Sequence, residues 1–247
     1  IEFDRSEGYM VLMRSAKDLA LAQNNLQFLR DAGVTHKLLD AAQALALEPA
    51  LNPETALHAA IHLPQDEVGN CRQYALLLKQ KAENMGVRFA FNTTLLPLSR
   101  SQPTQLQVKG AGAAEPFDAV VVCAGMGSLP LLRPLGVNLP MIAVHGYSVT
   151  AAIRNPLDAP RSGLMDERYK ISISRIGHRV RVAGSAEIGG SLAHKNEDAV
   201  QTLYKVLQDW FPGAAKLSGS QSGVQIWKGA RPMLPDGPPI IGSAGVP

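Results

Sequence analysis

The chain has 247 residues, 46% of them hydrophobic and 18% charged, with a formal net charge of +3. Such a composition supplies an apolar core and excludes a disordered segment, while so small a charge, with no Lys/Arg cluster interleaved with aromatics, excludes the nucleic-acid-binding class. No apolar run reaches the length of a membrane span, no signal-peptide pattern is visible, and two cysteines, Cys71 and Cys123, are too few for a disulfide framework.

Residues 7–13 read as a strand entered from a turn. Ser15 and Asp18 then make a capping-box-like start to a helix in which Leu19, Ala22, Leu26 and Leu29 recur at helical spacing, and Gly33 stops it. Asp40 with Gln43 opens a second, short helix that must finish before Pro49. Residues 57–63 are expected to form a strand that ends in a polar loop over 64–69. His58 and His62 have the i, i+4 spacing of a helical metal pair, but a strand separates them along its length, so no metal site is expected there. Asn70 can cap the next helix, with Tyr74, Leu78, Ala82 and Met85 on its apolar side. Gly86 ends that helix and a strand begins over 87–91, a unit that would feed a parallel sheet.

Two further strands are expected at 105–108 and 117–123, around Gly110-Ala111-Gly112. The second carries Val120-Val121-Val122-Cys123 without polar alternation, as a strand buried on both faces does, with Cys123 a small buried apolar residue. It breaks into Ala124-Gly125-Met126-Gly127-Ser128, a glycine turn at which a ligand phosphate or ring can approach backbone amides. Pro130 stands where a third glycine would be needed, so the dinucleotide fingerprint is not met, and by itself such a turn serves packing more often than binding. Residues 139–150 form another strand, on which His145 is either a group that titrates near neutral pH or a plain strand-edge residue. Residues 169–174 and 179–182 alternate on either side of Gly177, giving a hairpin with one wet face. Asn196 caps a helix whose core side is Val200, Leu203, Leu207 and Trp210, closed by Pro212-Gly213.

The last stretch, WKGARPMLPDGPPIIG at 227–242, is the most informative. Pro235, Pro238 and Pro239 exclude a helix or a central strand, and Pro-Asp-Gly at 235–237 has the chemistry of a tight turn. Arg231 is held between two apolar runs, where its guanidinium can either grip a carboxylate with parallel donors or pair with a structural acid.

The pattern G-x-R-P-x-x-P-D-G-x-P-x-I-G over 229–242 resembles the C-terminal motif of FAD-dependent amine and amino-acid oxidoreductases of the DAO type, and within them that of the bacterial D-amino-acid dehydrogenases. Four other stretches are similar to that family in the same order: Asp66-Glu67-Val68-Gly69-Asn70-Cys71, the strand ending in Ala124 to Ser128, Gly146-Tyr147-Ser148 with His145 in place of the usual basic residue, and Gly184 to Gly189. The resemblance implies an α+β (mixed α/β) fold, in which an incomplete FAD-binding α/β domain is interleaved with an antiparallel-sheet substrate domain flanked by helices. Residues 1–62 and 139–226 would be the substrate domain, and 63–138 and 227–247 parts of the FAD domain. It implies oxidative deamination of a small amino-acid substrate, with hydride passing from Cα to flavin. Arg231, Tyr147 and His145 are the expected catalytic-side residues, and Ala124, Gly125, Ser128, Gly229 and Gly242 the cofactor-side ones.

No G-x-G-x-x-G occurs in 1–57, and the chain stops at Pro247, before the family's final flavin segment. A fragment is therefore expected, one that holds FAD weakly or not at all. The rival readings are a flavin-free domain without activity of its own and an oxidase of glycine- or sarcosine-type amines. A cytoplasmic location is expected, with peripheral association at the inner face of a bacterial membrane as the alternative.

Overall fold

The computed structural model describes residues 2–217 and 223–243. In chain order its elements are β1 (Arg5–Met13), α1 (Ala16–Asp31), β2 (Lys37–Leu39), α2 (Ala41–Leu47), β3 (Ala59–Gly69), α3 (Cys71–Asn84), β4 (Gln105–Leu106), β5 (Glu115–Pro116), α4 (Ser128–Leu132), β6 (Ile142–Ala152), β7 (Gly163–Asp166), β8 (Ile171–Ile176), β9 (Arg179–Ile188), α5 (Glu197–Trp210) and β10 (Gln225–Met233). Eight strands form one sheet in the order β10-β6-β9-β8-β7-β1-β3-β2, and β4 with β5 makes a separate two-stranded pair. The expected α+β class, a large and largely antiparallel sheet with flanking helices, is what the chain adopts.

Two compact units divide the chain. The first comprises residues 1–82, 146–185 and 193–228, the second 83–145, 186–192 and 229–247. The breaks at 82/83, 145/146 and 228/229 stand against expected ones at 62/63, 138/139 and 226/227.

In the first unit local signals set the helices. Ser15 caps α1 by accepting from the Asp18 N–H, and Gly33 follows the helix with φ of +67°. At α2 the Asp40 carboxylate takes the Gln43 N–H while the Gln43 side chain takes the Asp40 N–H, a complete capping box. Asn196 caps α5 through the Ala199 N–H. One face of α5 buries Val200, Leu203, Val206, Leu207 and Trp210 against Ile171, Ile173, Val180, Val182, Val149 and Tyr147 of the sheet. Each such aliphatic side chain contributes about 1.5–3 kcal/mol by leaving water. A smaller cluster of Met13, Ala22, Leu26, Ile61 and Leu63 seats α1 near β1 and β3.

Polar contacts pin this core. Asp166, fully buried, accepts from Arg14 Nε (2.7 Å), Trp210 Nε1 (2.7 Å) and the Tyr169 N–H (3.2 Å). Arg14 also donates to Asp209 (2.8 Å), and its guanidinium lies over both the Tyr169 and the Trp210 ring. Burial alone would lower the Arg14 pKa, but the two carboxylates outweigh it and hold the group above its ordinary value.

Several expectations need correction. The strand over 57–63 does not end at Pro64 but runs through to Gly69 as β3. The missing N–H of Pro64 falls where the β1–β3 register breaks between Glu7 and Tyr9, and Gly8 there has φ of +86°. α3 has its expected Asn70 cap and its Gly86 stop, yet none of its residues is buried, so Tyr74, Leu78 and Met85 lie exposed. Residues 87–91 form no strand, the expected strand over 105–108 shrinks to β4, and its partner β5 lies at Glu115–Pro116, ahead of the expected 117–123. Residues 117–123 form no strand either: Val121 is 85% exposed, and Cys123 is exposed as well. A run apolar on both faces becomes a strand only between hydrogen-bonded neighbours, and no described strand pairs with it.

In the second unit β4 pairs antiparallel with β5, Leu95 bridges Val108, and Leu98, Leu135 and Val144 are its buried aliphatic residues.

Candidate functional site

His145, Ala124, Gly125, Ser128, Gly229, Arg231 and Gly242 all fall in the second unit, and Tyr147 in the first. The residues singled out from the sequence are thus not brought into one unit.

Arg231 lies exposed near the end of β10, an edge strand of the sheet. Pro232 follows it, tolerated there because an edge strand need not use every N–H. The chain then turns over Leu234 to Gly237, closed by the Gly237 N–H on Leu234 O at 3.1 Å. Gly237 has φ of +86°, a conformation that admits glycine readily and other residues only with strain. The guanidinium is therefore presented at the end of a strand backed by a rigid turn. Gly229 is half-buried two residues earlier on the same strand, and Gly242 is exposed beyond the turn.

The glycine turn after residue 123 folds as expected in its backbone. A 3-10 turn spans Gly125–Gly127 and leads directly into α4. The Gly127 N–H bonds Ala124 O and the Ser128 N–H bonds Gly125 O, which leaves the Gly125 and Met126 N–H groups at the start of the turn without a helical acceptor. Gly125 has φ of +55°, and a Cβ there would meet nothing within 4 Å. Ala124 and Gly125 are exposed and Ser128 is buried.

His145 is buried, with Nδ1 2.9 Å from Gly189 O. A carbonyl oxygen only accepts, so Nδ1 is the donor of this bond and carries a proton. Tyr147 is a core residue: 1% exposed, packed in the cluster beneath α5, its hydroxyl accepting the Asn196 N–H at 3.0 Å. Lys228 Nζ stands 5.1 Å from the centre of the same ring and donates to His194 O. The Tyr147 hydroxyl thus tethers the N-terminus of α5, a role that its place in the Gly-Tyr-Ser strand does not announce.

Two buried carboxylates, Asp166 and Glu48, are not marked in the sequence. Glu48, 2% exposed, follows α2 and accepts from the Arg161 N–H, the Ser162 N–H and Ser162 Oγ, fastening a loop 113 residues away. No spacing in the chain signals either one. Among the described residues no group of His, Cys, Asp and Glu could hold a metal ion.

The family model of the FAD dependent oxidoreductases (DAO) matches residues 1–247. The D-amino acid dehydrogenase of Vibrio atlanticus (strain LGP32) is 36% identical over 243 residues, 98% of this chain and 57% of that protein. That of Bradyrhizobium diazoefficiens is 37% identical over 244 residues, with the same two coverages. The chain thus spans little more than half the length of these relatives. Among solved structures, glycine oxidase from Geobacillus kaustophilus superimposes with a TM-score of 0.82 at 21% identity, covering 98% of this chain and 63% of that one. L-proline dehydrogenase from P. horikoshii gives 0.79 at 14% identity, covering 98% and 64%. At such identities the two structures bear on the fold alone.

Proposed function

The chain belongs to the FAD-dependent oxidoreductase family, and from that membership we propose that the protein of which it forms a part oxidatively deaminates D-amino acids. The observation that carries this reading is the 36–37% identity to D-amino acid dehydrogenases along 98% of the chain. Bound FAD would supply the two-electron acceptor, taking hydride from the substrate Cα, after which water converts the imino acid to a 2-oxo acid and ammonia.

The chain's own residues then serve chiefly to position. Arg231 takes the substrate carboxylate with two parallel N–H donors, its aim supported by the turn behind it. His145 holds a proton at Nδ1 against Gly189 O and keeps Nε2 for the site. Ala124, Gly125 and Ser128 are the cofactor-side turn, and Gly229 and Gly242 flank the Arg231 segment. The residues present fit the cofactor in part. Bare backbone at Gly125, with open space where a Cβ would be and two amides at the start of the turn, suits a ligand rich in oxygen acceptors. Tyr147, with its hydroxyl engaged by Asn196, is assigned to packing. In this reading the first unit is the substrate domain and the second the part of the flavin domain that these residues supply.

Arg231→Ala in the full-length protein is expected to lower kcat/KM at least about 100-fold, since two charge-assisted hydrogen bonds are lost. Unchanged kinetics would remove Arg231 from the site. Dye reduction set against oxygen consumption with D-alanine separates a dehydrogenase from an oxidase.

A second reading concerns this polypeptide alone: as 247 residues it holds no flavin. The run over 118–123 that leads into the glycine turn, paired with no described strand and exposed at Asp118, Ala119, Val121 and Cys123, favours it. A visible spectrum after addition of FAD and desalting decides the matter, a retained flavin band refuting this second reading. We place the full protein in the cytoplasm or at the inner face of a bacterial membrane, to be checked by cell fractionation; among the described residues no helix is long and apolar enough to cross a membrane.

A further inference from the structure

One end of the large sheet carries a cavity of about 320 Å³ lined by Asp4, Arg5, Ser6, Arg161, Arg175 and Gly177. All six residues belong to the first unit. Three arginines converge here from the start of β1, from the loop before β7 and from the end of β8, positions far apart in the chain. The opposing charge is modest. Asp4 is the acid in the lining, and Glu67, whose carboxylate lies 3.3 Å from Arg5 Nη1, stands beside it.

The Arg5 and Arg175 guanidinium groups are held by contacts that leave donors over, and Arg161 is fastened at its backbone. Arg175 gives Nε to Gly177 O (3.2 Å) and Nη1 to Pro156 O (3.4 Å), which fixes the plane of its guanidinium and leaves its remaining N–H groups available. The backbone of Arg161 is fastened by the buried Glu48 carboxylate, which takes the Arg161 N–H at 3.0 Å and the Ser162 N–H at 2.8 Å. The Arg161 guanidinium itself makes no hydrogen bond or ion pair with a described residue. Like charges gathered around one cavity repel one another, and a bound oxyanion relieves that repulsion while satisfying the open donors.

We propose that this cavity is a binding site for a phosphate group. A carboxylate presents two oxygens in one plane, which suit a single guanidinium edge, whereas a tetrahedral dianion presents oxygens toward cations on several sides. The volume admits a phosphate with its remaining water. None of the lining residues is among those assigned to the flavin chemistry, and the test does not depend on activity.

The test is isothermal titration of the purified chain with inorganic phosphate at constant ionic strength, with chloride and acetate as comparison anions. The expected result is saturable phosphate binding in the millimolar range, not matched by chloride or acetate. Arg161→Ala is expected to weaken it about tenfold or more, the loss of one charge-assisted donor group. Because the Arg161 side chain bonds no described residue, that variant is expected to keep its fold, which circular dichroism verifies. Arg161→Lys should fall between the two, keeping the charge and losing the fork. Equal heats from phosphate and acetate, or an Arg161→Ala chain that binds phosphate as the parent does, would overturn the proposal.

Discussion

The two units use the same kind of sequence to different ends. In the first, the apolar residues between α5 and the sheet are closed off from water: Leu203 and Trp210 of α5 are fully buried, as are Leu12 and Leu164 on the strands. In the second, residues as apolar stand in solvent, with Val121 85% and Ile241 90% exposed. The difference is one of partners. α5 has a sheet to cover and β8 has β7 and β9 on either side, whereas no described strand lies beside residues 118–123. Hydrophobicity gives a segment its tendency to be buried, and the neighbours decide whether it can be.

The sharpest test of that contrast is Trp210→Ala. It opens a large void beneath α5 and removes the Nε1 donor from buried Asp166, so a loss of about 5 kcal/mol or more is expected, read as a lowered midpoint in urea. Arg14→Met should come next, at about 3–5 kcal/mol. It leaves the Asp166 carboxylate buried without its cation and strips Asp209 of one of two. At the other extreme, Val121→Asp should change stability by less than about 0.5 kcal/mol while reducing self-association in sedimentation velocity. A large destabilisation there would show that the run is buried in solution and would erase the contrast.

The smallest effect expected is one of pH. Burial, then the nearby Lys37 charge, holds the His62 imidazole below its ordinary 6.5 in the folded chain, with Glu48 pulling the other way. As pH falls through 6.5 the unfolded chain takes up this proton before the folded one does. The stability contributed by His62 is therefore present above that pH and is lost below it. His62→Gln should flatten the urea-midpoint profile slightly between about pH 7 and pH 5.

Features set within a few residues were legible in the sequence. Ser15, Asp40 with Gln43, Asn70 and Asn196 cap the helices they were expected to cap, Gly177 closes its hairpin, and Pro235 to Gly237 forms its turn. Features that need distant partners were not. Residues 87–91 and 117–123 have strand composition and no strand, while Pro64 signals a stop that the break opposite Gly8 overrides. The site divides along the same line. The backbone of the 124–128 turn and the rigid setting of Arg231 could be read locally. The use of the Tyr147 hydroxyl by Asn196, and the gathering of Arg5, Arg161 and Arg175 around one cavity, required the tertiary fold.

The pairing of β1 with β7 runs parallel, while the pairs beside it, β1–β3 and β7–β8, run antiparallel. Tyr9 faces Gly163 across this seam, and a Cβ at 163 would collide with Val68 and Tyr9. The strands next to the seam come from nearby chain on each side, β2-β3-β1 from the first 69 residues and β7-β8-β9 from a stretch of 26. The seam itself closes a loop of more than 150 residues, the slow kind of contact to form. Within the sheet, two groups of strands that are each close in sequence thus meet along one parallel seam, with Gly163 at the point of contact. Peptides covering 1–82 and 146–228, supplied separately, are what such a joint could reunite.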